Sequence, residues 1–340
     1  MIPMEKPIRV AMIGFGLSGR YLQGPFFQNH PDFNLVKILT SQSTEAIPDY
    51  QGIPTSSKVE EAWLDDQVDL VAICSPNDTH YALTLSCLQA GKHVLVDKPM
   101  AGSLEEIQTL YDEAERQQKV LAVFQNRRFD SDFLTVKDII QSGKLGKIVR
   151  VEVRYDRFKP ELNPKKWKEE ERSANGILYD LGAHIIDQMI DLFGEPERVV
   201  GRTYQERMGT TIDDAFDILA SYSNGPSVLL HSSLLAKEPL PRYVIYGTNG
   251  SFLKYGIDVQ EDHLKAGVLP TEARYGYEPA DQNGYCFTEE GRICVETRRG
   301  DWGSLFTSLS QAIQGKGPFV VTRKQMEAQF KVIASIQSNK

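Results

Sequence analysis

The sequence predicts an α/β protein of two domains. A parallel sheet with helices on both faces is followed by an α+β domain with a mostly antiparallel, open-faced sheet. Up to about Phe124, short apolar runs alternate with helical stretches. Beyond that point the runs alternate polar and apolar residues, and turn residues such as Asn249-Gly250 separate them. The 340 residues, 41% hydrophobic and 25% charged, suffice for two globular cores.

The first domain is predicted to span residues 1–124. Its strands are predicted at Ile8–Ile13, Leu35–Thr40, Leu70–Ser75, His93–Val96 and Val120–Phe124. The helices between them include Thr79–Ala90 and Leu104–Gln117. Continuous apolar strands separated by helices indicate a parallel sheet covered on both faces. Because such sheets bind ligands at the carboxyl ends of their strands, we expect the functional residues to follow the strands directly.

The second domain is predicted to span residues 125–340. Its helices are predicted at Phe133–Ser142 and Ile177–Phe193, and Gly194 ends the second of these. Its strands are predicted at Ile148–Tyr155, Phe216–Tyr222, Ser227–Leu235, Tyr243–Tyr246 and Phe252–Lys254. The amphipathic last helix, residues 323–338, is expected to pack back on the first domain. A homodimer or homotetramer is expected to form through the open sheet.

A glycine-rich turn follows the first strand directly. Gly14-Phe15-Gly16-Leu17-Ser18-Gly19 has the G-x-G-x-x-G spacing and lies between a β-branched strand and a helical stretch, the context that the motif requires. The glycines allow a tight turn, close approach of the backbone to a pyrophosphate, and close helix–strand packing. All six residues are therefore predicted to bind a dinucleotide in a Rossmann domain. The alternative is a glycine-rich turn that binds nothing.

The end of the second strand bears on the choice of cofactor. NAD-specific sites carry an acidic residue about 20 positions after the glycines. Here the strand ends in Thr40 and Ser41, and no carboxylate follows at the tip. Hydroxyls donate to a 2′-phosphate that a carboxylate would repel, so NADP is the expected cofactor, with NAD as the alternative.

The third strand ends in Ser75-Pro76-Asn77-Asp78-Thr79-His80. Because proline cannot continue the ladder, the chain turns outwards at this point. Ser75, Pro76, Asn77 and His80 are predicted to lie near the nicotinamide half of the cofactor. The alternative role of this turn is a helix cap made by Asp78 or Thr79.

Three residues are predicted to carry the chemistry. Lys98 follows an apolar strand, and its ammonium can hydrogen-bond a substrate oxygen. Asp180 and His184 are four residues apart on a predicted helix and share one face, as an acid–base pair would. The alternatives are a solvated polar stripe of Asp180, His184, Asp187 and Asp191, or a metal pair for which no third ligand is evident.

The glycine fingerprint, the Ser75–His80 turn, Asp97-Lys98-Pro99 and the Asp180-x-x-x-His184 helix together resemble the Gfo/Idh/MocA oxidoreductase family over essentially the whole chain. Three more segments resemble its subgroup of NADP-dependent scyllo-inositol dehydrogenases: Asn126–Thr135, Tyr155–Pro160 and Lys254–Glu261. The resemblance implies that Lys98 holds the reacting hydroxyl, that His184 takes its proton, and that Asp180 binds a neighbouring hydroxyl. The family usually has Glu where this chain has Asp97.

A polyol or sugar substrate requires many converging hydrogen-bonding groups. The predicted substrate-binding residues are Lys98, Asn126, Arg128, Tyr155, Arg157, Trp167, Tyr179, Asp180 and His184. Lys98 and Asn126 are also assigned to the cofactor. The alternative for Arg128 is a salt bridge with Asp130 or Asp132, and the alternative for Trp167 is simple packing.

Composition bears on other classes of function. The net charge of −8 and the lack of a basic run argue against nucleic-acid binding. No stretch reaches the roughly 20 apolar residues of a membrane span. Because the N-terminus lacks an apolar signal core, a cytoplasmic protein is expected. A redox-neutral glycosidase with bound cofactor and a non-catalytic dinucleotide sensor are the competing functions.

Overall fold

A computed structural model describes residues 6–42, 48–164, 169–170, 172, 174–238 and 240–337. The strands are β1 Ile8–Ile13, β2 Phe33–Leu39, β3 Thr55–Ser56, β4 Leu70–Ile73, β5 His93–Val96, β6 Leu121–Val123, β7 Ile148–Arg154, β8 Arg198–Tyr204, β9 Ala215–Ser221, β10 Ser227–Ser233, β11 Tyr243–Gly247, β12 Gly250–Lys254, β13 Gly284–Thr288 and β14 Gly291–Val295. The helices are α1 Gly24–Asn29, α2 Glu61–Leu64, α3 His80–Gln89, α4 Leu104–Gln117, α5 Ser131–Gln141, α6 Ala183–Phe193, α7 Gln260–Lys265, α8 Gly303–Ile313 and α9 Arg323–Gln337. None of these described helices has the length and apolar character needed to cross a bilayer.

The chain forms two compact units. The first contains the described residues up to Gln125 together with Glu261–Tyr275 and Trp302–Arg323. The second contains Asn126–Gln260, Gly276–Asp301 and the described residues from Lys324 onwards. The units therefore interleave along the chain, whereas the predicted division has a single boundary after residue 124.

A six-stranded sheet forms the centre of the first unit. Its strands are all parallel and lie in the order β3-β2-β1-β4-β5-β6. Every residue of β4 is fully buried, as expected for a strand covered on both faces. The predicted parallel α/β sheet is thus confirmed, and only the two-residue β3 is added to it.

The segment that contains α8 completes the core of the first unit. Phe306 stacks on Phe26 with a centroid distance of 4.5 Å and meets Phe27 edge-on at 5.2 Å. It also contacts Phe124, with a centroid distance of 5.9 Å. Because these partners are about 180 to 280 residues away in sequence, no local pattern indicates that the chain returns here.

The last helix makes contacts within the second unit. Nearly all of α9 groups with the second unit rather than the first. Its Gln329 donates to the carbonyl of Ala183 at 2.6 Å, and its Ile336 lies against Gly201 of β8. These contacts lie within the second unit, and the predicted packing of this helix on the first domain stays a prediction.

An eight-stranded sheet forms the second unit, in the order β14-β13-β12-β11-β7-β10-β9-β8. Only β7 and β10 pair in parallel, so the predicted, mostly antiparallel sheet is confirmed. Val200, Leu219 and Leu229 lie opposite one another on three strands, and the first two are about half exposed. A homo-oligomer through this sheet stays a prediction.

The segments Asn126–Thr135 and Lys254–Glu261 meet in a buried polar network of the second unit. The amide and hydroxyl of Ser131 both donate to Asp258 at 2.8 Å, and the hydroxyl also bonds Glu278. Lys254 donates to Glu278 at 2.6 Å, and both side chains are fully buried. Gln260 donates to Asp258 and to the carbonyl of Phe129, at 3.0 Å in each case. These motif residues therefore fix the start of α5 to β12 and the loops that follow it.

This network makes stability depend on pH. Burial raises the pKa of Glu278 to about 7, from an ordinary value of 4.5. Because the folded value is the higher one, protonation of Glu278 favours the folded state. This contribution is complete below pH 4.5 and is lost as the pH rises through about 7. We expect the loss between pH 5 and pH 8 to be roughly 2–3 kcal/mol of unfolding free energy.

Glu278→Gln should remove this dependence of the unfolding free energy on pH. Urea unfolding at several pH values would measure the change. The matched control is Glu290→Gln, because Glu290 is exposed. A Glu278→Gln variant whose stability follows the wild-type pH profile would contradict the assignment.

Candidate active site

The glycine turn at the end of β1 leaves an open surface. Gly14 has a φ of +94°, and a Cβ there would lie 2.6 Å from the carbonyl of Cys74. A Cβ on Gly19 would collide with the carbonyl oxygen of Gly14. At Gly16, by contrast, a Cβ would meet no protein atom within 4 Å. Two glycines are thus required by packing, and Gly16 leaves the room that a dinucleotide backbone contact needs.

The other residues of the turn divide between packing and exposure. The Phe15 ring is buried edge-on against Tyr50, with a centroid distance of 4.8 Å, so its side chain supports the loop from below. Leu17 is 50% exposed. The hydroxyl of Ser18 accepts a hydrogen bond from Gln23 at 3.1 Å, within a π-helical turn over Ser18–Gln23. This wide turn starts the helix where the fingerprint ends.

The tip of β2 carries hydroxyls. The amide of Thr40 donates to Ser56 at 2.8 Å, and its hydroxyl accepts from the amide of Gln42 at 3.0 Å. Ser41 is exposed beside it. Residues 40–42 contain no carboxylate, and residues 43–47 lie outside the described part of the chain.

The turn after β4 is fixed by its own side chains. The hydroxyls of Ser75 and Thr79 are 2.6 Å apart, and Thr79 also bonds the carbonyl of Pro76 at 2.7 Å. Thr79 makes no side-chain cap to α3, so the alternative role as a capping residue is not seen for it. Asn77 is half-buried at the start of this turn, next to the exposed Pro76.

His80 connects two loops at the carboxyl edge. Its ring nitrogens lie 2.7 Å from the carbonyl of Pro99 and 2.9 Å from that of Ser75, and the ring is fully buried. Both described contacts are with backbone, which favours a positioning role over the predicted cofactor contact. Through Pro99, His80 fixes the loop that holds Lys98.

Lys98 directly follows β5 and is half-buried. Its amide donates to the carboxylate of Asp97 at 2.8 Å, and a cis peptide bond joins it to Pro99. Asp97 therefore supports the backbone of Lys98 even though it is one methylene shorter than the usual Glu.

In the second unit, Asp180 and His184 lie where a π-helical turn over Leu178–Gly182 becomes α6. Asp180 is exposed, whereas His184 is 7% exposed. The carboxylate of Asp213 accepts from the amide of Leu178 at 2.9 Å and anchors the turn. Short π-helical segments often occur at functional sites, and here one separates a solvated carboxylate from a buried imidazole.

Arg128 forms buried ion pairs that differ from its predicted role. Its guanidinium is buried and binds both carboxylate oxygens of Asp187 at 2.7 Å and Asp191 at 3.1 Å. The predicted substrate contact is therefore wrong, because acids on α6 hold this fork. The pairs also show that Asp187 is not part of a solvated stripe.

Three further predicted substrate residues differ in their surroundings. The hydroxyl of Tyr179 pairs with Gln337 of α9 at 3.1 Å, which gives it a structural contact. Asn126 is buried at the start of a 3₁₀ turn directly after β6. Trp167 lies outside the described residues.

Tyr155 and Arg157 come together at the end of β7. The guanidinium of Arg157 lies 5.2 Å from the centroid of the buried Tyr155 ring. Arg127 and Arg242 lie against the same ring, at 5.4 and 4.1 Å. Neither Arg127 nor Arg242 is among the site residues predicted from the sequence. Arg127 adjoins a predicted site residue, whereas no local signal marks Arg242.

Two family models match the two sheets. A model described as an oxidoreductase family with an NAD-binding Rossmann fold matches residues 8–125, and a GFO/IDH/MocA C-terminal domain model matches residues 133–253. The chain belongs to the Gfo/Idh/MocA oxidoreductase family. The predicted Rossmann domain and the family resemblance are confirmed.

Relatives of this Gfo/Idh/MocA oxidoreductase include named dehydrogenases. It is 34% identical to scyllo-inositol 2-dehydrogenase (NADP(+)) IolW of Bacillus subtilis, over 98% of this chain and 94% of that protein. It is 30% identical to D-glucoside 3-dehydrogenase of Escherichia coli over 56% of each chain. A solved structure of the oxidoreductase yvaA from Bacillus subtilis has a TM-score of 0.93 and 33% identity, covering 98% of this chain and 96% of that one. The protein is therefore an NAD(P)-dependent dehydrogenase.

The open surface at Gly16 gives a direct test of the cofactor site in this Gfo/Idh/MocA dehydrogenase. Gly16→Ala should weaken NADP binding by about tenfold, because the methyl group occupies the space left for the ligand. Its unfolding midpoint should match the wild type, since no protein atom lies nearby. Calorimetric titration and thermal unfolding measure the two effects.

Gly14→Ala is the matched comparison and should lower stability as well as binding, because its Cβ meets backbone. A stable Gly16→Ala protein with wild-type NADP affinity would exclude the turn as the binding surface.

Proposed function

We propose that this dehydrogenase oxidises a secondary hydroxyl of a cyclic polyol or sugar, with NADP as the favoured cofactor. The observation that carries the proposal is the position of Lys98. It follows β5 directly, at the same carboxyl edge as the glycine turn after β1 and the Ser75–His80 turn after β4. In parallel sheets this edge binds the ligand. The similarity to an enzyme named scyllo-inositol 2-dehydrogenase (NADP(+)) supports the substrate class.

The chain's own residues would handle the hydroxyl and its proton. When bound, the nicotinamide takes up or returns a hydride at its C4 carbon. Lys98 would hold the reacting oxygen through its ammonium, which favours loss of the hydroxyl proton. His184 would accept that proton, and Asp180 would bind a neighbouring hydroxyl.

The surroundings of His184 and Asp180 suit these separate roles. An imidazole exchanges protons near neutral pH, with an unperturbed pKa of roughly 6.5. His184 is shielded from solvent, which limits proton exchange with water at the reacting group. Asp180 is exposed, and an ionised carboxylate in solvent can accept hydrogen bonds from hydroxyl groups.

The first test incubates the protein with a panel of inositols and aldoses, in the presence of NADP or NAD. The absorbance of the reduced nicotinamide measures the reaction. We expect one polyol to support reduction, with NADP preferred. Lys98→Met and His184→Asn should each lower kcat/KM by roughly 10²–10⁴, the usual contribution of an acid–base group. His184→Asn should retain NADP affinity in calorimetry.

Lys119→Met is the control, because Lys119 precedes β6 and thus lies at the opposite edge of the sheet. Cofactor binding without net reduction, combined with glycoside cleavage, would favour the redox-neutral glycosidase instead. Unchanged turnover in Lys98→Met would refute the catalytic assignment.

The cofactor preference has its own test at the tip of β2. Ser41→Asp places a carboxylate where the 2′-phosphate of NADP would lie, so charge repulsion should weaken NADP by at least about tenfold. NAD, which has a hydroxyl there, should bind about as well as before or better. Calorimetric titration of both cofactors measures the ratio. Ser41→Asn is the uncharged control, and equal losses in both variants would argue against a 2′-phosphate site at this tip.

A further inference from the structure

Three arginines surround one tyrosine in the second unit. Tyr155 is fully buried, and the guanidinium carbons of Arg242, Arg157 and Arg127 lie 4.1, 5.2 and 5.4 Å from its ring centroid. All three distances are within the range of cation–π attraction. The ring therefore brings three positive charges to one place, and we call these four residues the arginine cluster.

The charges of the arginine cluster are not all compensated in the same way. Arg127 pairs with Asp130 and Arg242 pairs with Asp132, at 3.2 Å in both cases. The guanidinium of Arg157, in contrast, makes no hydrogen bond or ion pair with any residue that the structure describes, and the residue is half-buried. A partly desolvated guanidinium without an acid is unfavourable, so its charge is available to a ligand.

The arginine cluster also has unused donors. Within the described part of the chain, the Tyr155 hydroxyl and Nη2 of Arg242 are buried without a hydrogen-bond partner. Burial raises the pKa of Tyr155, so the hydroxyl keeps its proton and can donate it. Each such buried donor costs about 1–3 kcal/mol while it stays unpaired. A ligand that supplies acceptors would recover this free energy.

The arginine cluster adjoins the helix face that carries His184. Gln188 lies one turn beyond His184 on α6, on the same face of the helix. Its amide donates to the carbonyl of Arg127 at 2.8 Å, and its oxygen accepts from Tyr243 at 2.8 Å. Tyr243 adjoins Arg242 in sequence. Gln188 thus connects α6, the helix that carries His184, to the chain segments of Arg127 and Arg242.

We infer that the arginine cluster binds a carboxylate of the substrate through Arg157, so that the enzyme prefers a sugar acid to the corresponding neutral sugar. This inference rests on the proposed function, because it specifies the substrate of the same reaction. A carboxylate brings one negative charge and only acceptors, which matches the free charge and the free donors. A neutral hydroxyl group also has a proton to donate in a hydrogen bond. The unused N–H groups of Arg157 and Arg242 cannot accept it. A phosphate would bring nearly two charges to one uncompensated guanidinium.

The test compares sugars that differ only at the terminal carbon. D-Glucuronate with D-glucose, and D-galacturonate with D-galactose, are titrated calorimetrically into the protein with saturating NADP. We expect each uronate to bind at least about tenfold more tightly than its hexose, and rising salt to reduce this ratio. Arg157→Met should bring the ratio close to one by weakening the binding of each uronate. Arg157→Lys should retain part of the ratio, since it keeps the charge but not the planar fork.

Three controls separate this effect from others. Arg274→Met, at a 71% exposed side chain of the first unit, should leave both affinities unchanged. Circular dichroism and NADP titration of Arg157→Met exclude misfolding and loss of the anionic cofactor. Tyr155→Phe, which removes only the buried hydroxyl, should weaken uronates more than hexoses.

The outcomes also distinguish the two proposals. Uronate binding that depends on Arg157, without nicotinamide reduction by any polyol, would support the carboxylate site and refute the proposed function. Turnover of a neutral polyol with equal affinities for uronates and hexoses would support the function and overturn the carboxylate site. Tighter binding of D-glucose 6-phosphate than of D-glucuronate would also overturn it, as would the absence of any uronate binding.

Discussion

The first unit depends on a backbone crossing at Gly14 that leaves no space for a side chain. The amide of Gly14 donates to the carbonyl of Leu39 at 2.9 Å. The amide of Cys74 donates to the carbonyl of Ile13 at 2.7 Å. These bonds end β1, β2 and β4 at one level, with the chain turning through a positive φ between them. The loops after the strands consequently emerge along a single edge. The open surface at Gly16 and the loop of Lys98 both follow from this arrangement.

The second unit depends instead on buried polar contacts between distant segments. Two buried ion pairs stabilise turns where apolar packing would otherwise do so. They join Arg128 to Asp187 and Lys254 to Glu278. Burying such charges is costly unless each is paired and hydrogen-bonded, and here each is paired, with further partners for Arg128, Lys254 and Glu278. Motif residues that a sequence comparison associates with a substrate class are therefore in large part structural. Arg157 differs from them because no described acid pairs with it.

The accuracy of prediction from the sequence followed the range of the interactions involved. The bounds of β1, β5 and α4 match those predicted, because apolar runs and the Ser103 cap, which accepts from the amide of Glu106 at 3.1 Å, are local signals. Strands β8, β13 and β14 were missed, and in β8 and β14 exposed and half-exposed residues give no clear alternation of polar and apolar residues. The site followed the same rule. The glycine turn was predictable from spacing, whereas the partners of Arg128 and Tyr179 lie 59 and 158 residues away.

The π-helical turn before α6 explains why one helix presents two residues of different exposure. A regular helix would place Asp180 and His184 in one stripe, and a shared stripe predicts similar burial. The wider turn, fixed by Asp213, lets the chain enter α6 with Asp180 in solvent and His184 covered. Binding hydroxyl groups suits a solvated carboxylate that accepts hydrogen bonds. Proton transfer is better served by a shielded imidazole, so under the proposed function the irregular turn would separate hydroxyl binding from proton transfer.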